Sequence, residues 1–204
     1  HILGFYPDIL EKIGLVSKKN NLYYVTSKKV LEYAKKHFDC NTLTGIQLED
    51  QGDEGSAGSH WEARYMLGDY MISFDYSEIV ISDLTLALFE DSGWYKVNYY
   101  SGGLFRFGRF GGCEFFNEKC VRMNGDVTSF KNDFCTDNGA FCTSGHLSRG
   151  ECGLWEYEEK IKNTNYRYFN DPYVGGLSWV NYCPVSNDLE DFYESEYYFP
   201  GHCK

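Results

Sequence analysis

The chain has 204 residues, and 30 acidic against 19 basic side chains give it a formal net charge of −11. That balance argues against a nucleic-acid partner, because phosphate binding needs a basic face. Hydrophobic content of 43% and charged content of 24% suit a globular protein with a real core, and no apolar run reaches the ~18 residues of a membrane span.

The opening stretch HILGF sets His1 three residues ahead of Gly4. That is the second half of His-Glu-x-x-His-x-x-Gly, in which two histidines one helical turn apart face the same way and the glycine lets the chain bend. Alone, His-x-x-Gly is a common accident. The segment TSKKVLEYAKKHFDC reads as a helix with Val30, Leu31, Ala34 and Phe38 on one face and Thr26 or Ser27 as N-cap. His37, beside Lys35 and Lys36, is expected to be solvated. TGIQLEDQGDEGSAGS, rich in glycine, serine and acid, reads as a loop that returns the chain to His60, with Glu49 and Asp50 expected to hold it through backbone amides. HWEARYMLGDYM has helical character as far as Gly68, and Met71 follows His60 by eleven residues. SDLTLALFEDSGW reads as a second, buried helix, capped by Ser82 and stopped at Gly93.

From about Tyr99 the texture changes. YYSGGLFRFGRFGGCEFF alternates aromatics with glycines, and seven of the eight cysteines follow residue 110. Zinc ribbons need close Cys-x-x-Cys pairs, and none is present. An even count among Gly, Asn, Asp and Ser reads as four disulfides in an oxidising compartment; eight cysteines allow 105 connectivities. His146 and His202 lie beside cysteines in loops, where stapling explains their surroundings.

Together, LEDQG, GSHWEARYMLGDYM, LTLALFEDSGWYKVNY, FGGCEFFNEKC and NYCPV resemble the leishmanolysin family of zinc metalloendopeptidases. The likeness is strong over residues 1–120, recognisable to about 155, and thin afterwards except around Cys183. It implies an α+β fold: residues 1–118 would be the C-terminal part of a metzincin-type catalytic domain, carrying the end of the active-site helix, an insertion, the third zinc histidine, the Met-turn and the following helix. Residues 119–204 would be a disulfide-rich, loop-rich domain.

The resemblance further implies one Zn2+ held by three imidazoles, with His1 and His60 as the second and third ligands and Met71 as the apolar floor of the Met-turn. The first histidine and the general-base glutamate belong to a His-Glu-x-x that would stand ahead of His1. The chain is therefore expected to be a fragment that is inactive alone. Gly4 and Glu62 are expected to support the ligands, and Ile72, Ser73 and Phe74 to line a substrate pocket. Glu49, Asp50 and Glu62 are not candidates for the base, since none sits three residues ahead of a ligand on its helix. The implied disulfides are Cys40–Cys113, Cys120–Cys183, Cys135–Cys152 and Cys142–Cys203.

The expected activity is hydrolysis of protein and peptide bonds at the cell surface or outside the cell, with membrane anchoring, if any, through segments outside these residues. An alternative from another class is a catalytically dead family member kept as a cysteine-rich adhesion module, with 18 Tyr, 15 Phe and 4 Trp available for contact.

Overall fold

The computed structural model describes residues 3–53, 55–122, 130–136 and 139–187. They form short helices and small antiparallel sheets. Helix α1 (Pro7–Lys12) starts on a proline and leads into strands β1 (Val16–Lys19) and β2 (Leu22–Val25). Asn20 and Asn21, at φ of 51° and 64°, make the two-residue turn between these strands, a conformation asparagine tolerates better than most residues. Strand β3 (Ile46–Gln47) pairs antiparallel with β2, Val25 opposite Ile46, so the sheet order is β1-β2-β3.

Helix α2 (Lys28–Phe38) buries Val30, Ala34 and Phe38, the stripe expected from their spacing. Its cap differs from expectation. Ser27 occupies the N-cap position, but its hydroxyl makes no capping bond. Instead the amides of Lys29 and Val30 donate to Asp91 Oδ2 at 2.8 and 3.3 Å. Asp91 is the last residue of α4 (Asp83–Asp91), which packs on α2 and is itself capped by Ser82, whose hydroxyl accepts the Thr85 amide at 3.2 Å. The Lys29–Glu90 ion pair, 2.7 Å long and partly exposed, adds at most about 1 kcal/mol to the same junction.

Between these helices lies the one-turn α3 (Ala63–Met66). The later chain supplies α5 (Glu114–Asn117), a sheet of β4 (Ala140–Cys142), β5 (Arg149–Cys152) and β8 (Ser186–Asn187) in the order β4-β5-β8, and a pair of β6 (Trp155–Glu156) with β7 (Val174–Gly175).

One cluster of buried side chains runs from Phe5 to Val185 and includes residues on both sides of position 118. Its aromatic hub is Phe115, with Phe38, Phe107, Phe130 and Phe134 all at 5.2–5.9 Å between ring centroids. The alternation of glycine and aromatics has its reason here. Gly108 adopts a φ of +67°, and a Cβ there would stand 2.6 Å from the Phe115 ring, so only glycine lets the chain pass. Disulfides join Cys40 to Cys113, Cys120 to Cys183 and Cys135 to Cys152. Cys142 is also disulfide-bonded; Cys203, its implied partner, lies outside the described residues. Among the described residues no helix is long and apolar enough to cross a membrane.

Candidate metal centre

The insertion closes on itself at a neck. Leu48 and Trp61 form an antiparallel bridge, the Glu49 amide donates to the His60 carbonyl at 2.9 Å, and the Glu62 amide donates to the Gln47 carbonyl at 3.2 Å. Within the loop the Gly58 amide donates back to the Glu49 carbonyl at 2.7 Å. The two limbs of the loop thus run side by side at this bridge, and His60 stands where the loop closes.

His60 is half-buried, and burial pulls the imidazole pKa below its ordinary value, which favours the neutral ring. Its Nδ1 lies 3.2 Å from the Ser56 carbonyl, and Ser59 Oγ is 3.3 Å away. A carbonyl only accepts, so the proton is assigned to Nδ1 and the basic lone pair to Nε2. A neutral imidazole with one nitrogen tied to a carbonyl and the other basic is what a metal ligand requires.

Met71 is fixed beside it. The amide of Trp61, the residue after His60, donates to the Met71 carbonyl at 2.9 Å. The Met71 amide donates in turn to Asp69 Oδ1 at 2.7 Å. Asp69 is fully buried and also accepts the Ser82 amide at 3.1 Å and the Thr85 hydroxyl at 2.9 Å, while Thr85 Oγ1 accepts the Trp61 indole N–H at 2.7 Å. One carboxyl group therefore ties the turn under Met71 to the start of α4 and, through Thr85, to Trp61. Sequence reasoning missed Asp69. The available signal was an acidic residue two places before the methionine, where the surrounding residues are otherwise mostly apolar or aromatic.

The amino-terminal motif meets this assembly through Gly4 and Phe5. Gly4 has a φ of +102°, and a Cβ there would stand 2.5 Å from the Trp94 ring, so the bend expected of it is one only glycine makes. Phe5, fully buried, packs edge-on against Trp61 with centroids 5.2 Å apart. Tyr95 donates its hydroxyl to the Leu3 carbonyl at 2.9 Å, tying the turn at Leu3 to the segment that follows α4. His1 lies outside the described residues.

The other expected positions sit as follows. Ile72 is buried in the core, Ser73 donates to Glu49 Oε2 at 3.2 Å, and Phe74 stacks on Trp179 with centroids 6.3 Å apart. Glu49 Oε1 accepts the amides of Asp50 and Gln51, bracing the loop as expected. Glu62 caps α3 through the Arg64 amide at 3.1 Å and accepts Asn181 Nδ2 at 3.2 Å. Burial lifts the carboxyl groups of Glu49, Asp50 and Glu62 above their ordinary values. His37 departs from expectation. It is half-buried, its Nε2 lies 2.9 Å from the Phe107 carbonyl, and its ring stacks on Phe105, because the 105–110 stretch folds over the end of α2.

Comparison with known proteins defines the class first, as a peptidase family. The leishmanolysin model of that family matches residues 1–194. Leishmanolysin of Leishmania donovani is 34% identical over 195 residues, covering 91% of this chain and 32% of that protein. The leishmanolysin homolog of Crithidia fasciculata is 32% identical over 174 residues, 84% of this chain and 26% of that protein. A leishmanolysin-like peptidase of Drosophila pseudoobscura pseudoobscura is 31% identical over 194 residues, 86% of this chain and 28% of that protein. The chain belongs to the leishmanolysin family. It spans about a third of the length of the curated relatives it matches.

Proposed function

We propose that these residues form the C-terminal share of a zinc metalloendopeptidase site, in which His1 and His60 are ligands and Met71 lies beneath them. One observation carries the reading: Phe5 packs on Trp61, and Trp61 donates to Met71, so the segments bearing all three residues share one contact chain. The donor set suits zinc, since neutral imidazole is among its preferred ligands.

When bound, zinc supplies a Lewis acid that polarises a scissile carbonyl and makes a water more acidic. The chain's own residues prepare for this. The Ser56 carbonyl holds the His60 proton on Nδ1 and thereby keeps Nε2 basic. The Met71 thioether offers an apolar surface that neither takes up nor releases a proton, while Asp69 sets the height of the turn. The loop neck fixes the direction from which the His60 ring arrives. Ser73 and Phe74, just past the turn, are assigned to the substrate pocket. The general base and the remaining imidazole are assigned to a His-Glu-x-x directly ahead of His1. The disulfides fit a protein of the cell surface or the extracellular space.

The test is casein cleavage by a polypeptide carrying His-Glu-x-x directly ahead of His1. Chelator-sensitive cleavage that is lost in His60→Ala, with circular dichroism unchanged, is the expected result. Full cleavage by folded His60→Ala overturns the assignment.

A further inference from the structure

We infer that Glu49, Asp50 and Glu62 form a second cation site, of the calcium class, that fastens the neck of the His60 loop. One carboxylate oxygen from each of the three lies within 4.8 Å of the others. Glu49 and Asp50 stand on the outgoing limb of the neck and Glu62 on the returning limb, on either side of the Leu48–Trp61 bridge. An ion held by all three therefore joins the two limbs that carry His60. This inference does not depend on the zinc reading.

Acid residues gather on many surfaces without binding anything, but two features set this group apart. Glu62 is fully buried, and its Oε2 has no hydrogen-bond partner among the described residues. A buried carboxylate oxygen left bare is costly unless a proton or something positive meets it. No ion pair does so: among the described residues these are Lys29–Glu90 and Lys162–Glu159, both elsewhere, and the buried Arg64 guanidinium acts on Glu62 electrostatically without pairing with it. Glu49 is held in place, since both its oxygens accept, Oε1 from two amides and Oε2 from the Ser73 hydroxyl. Asp50 opens the group to solvent, because it lines a cleft with Gln51, Tyr166 and Tyr182 that gives an ion a way in.

The ligand chemistry selects the ion. Three carboxylates offer only hard oxygen, which suits calcium, magnesium or manganese and disfavours the thiophilic metals. Three oxygens within 4.8 Å of one another can all reach one calcium ion at its ~2.4 Å bond length, leaving its remaining positions to water. A flexible site built from two loop limbs and completed by water matches the larger, less demanding ion.

The experiment is calorimetric titration of CaCl2, and separately MgCl2, into the EGTA-treated and dialysed chain, with melting temperature followed in parallel. One calcium per chain is expected, with a melting temperature that rises on saturation and with magnesium binding more weakly. Glu62→Gln and Asp50→Asn are each expected to weaken calcium at least about tenfold. If Glu62→Gln fails to fold, Asp50→Asn at the cleft still decides the matter, its fold checked by circular dichroism. No binding of either ion, tighter binding of magnesium, or unchanged calcium affinity in a folded variant overturns the proposal.

Discussion

The Phe5 ring meets the edge of Trp61 at 5.2 Å, which puts the residue after Gly4 against the residue after His60. More than fifty positions of chain separate them, and the contact makes the amino-terminal motif and the end of the insertion one packed unit. Phe5→Ala removes the larger part of that unit. A loss of about 3–5 kcal/mol in urea unfolding is expected, as for other fully buried phenylalanines, and a loss under 1 kcal/mol would show the contact to be incidental.

Asp69 gathers the Met71 amide, the Ser82 amide and the Thr85 hydroxyl. Asp69→Ala leaves three donors without their acceptor in a site that water does not reach. A destabilisation of about 3 kcal/mol is expected, together with a fall in zinc affinity of about tenfold or more in the polypeptide that carries His-Glu-x-x ahead of His1. Asp69→Asn, which keeps one acceptor oxygen, is expected to lose less. Equal losses in the two variants would remove the case for a specific clamp.

The cap of α2 provides a contrast between two substitutions. Asp91→Ala strips the acceptor from the Lys29 and Val30 amides and is expected to cost about 1–2 kcal/mol. Ser27→Ala removes a side chain that makes no capping bond and is expected to cost less than half as much. Chemical denaturation of both variants checks the order, and the reverse order would mean that the helix is capped locally.

Burial pushes the Asp133 carboxyl up to about 6, against roughly 4 in the unfolded chain. The folded state therefore holds the proton more tightly. The associated stability is present below about pH 4 and is lost as the pH rises to about 6, by at most ~3 kcal/mol over two units. Asp133→Asn keeps an acceptor for the Gly108 amide, and the difference between its stability curve and the parent's is expected to rise across that window and level off above it. A difference that stays flat from pH 4 to 6 would show that Asp133 titrates normally.

Much of this was legible in the residues. The stripe Val30, Ala34, Phe38 and the Ser82 cap are local, and local signals give α2 and α4. The Gly4 bend and the Glu49 brace were readable as well. What escaped depends on residues far apart in sequence. Asp91 caps a helix some sixty positions earlier, His37 meets a stretch that begins at Phe105, and Asp69 serves Ser82 and Thr85 on a different element. Glu49, Asp50 and Glu62 could each be placed near the motif, but only the paired limbs of the loop neck reveal that they face one another.

Side-chain 15N spectra of the five histidines during zinc addition test the central claim most directly. The account predicts that the His1 and His60 rings shift together with one midpoint, that His37 and His146 stay still, and that His60→Ala abolishes the response at His1. Zinc that binds while His60 stays unmoved, or a His1 response that survives His60→Ala unchanged, would contradict it.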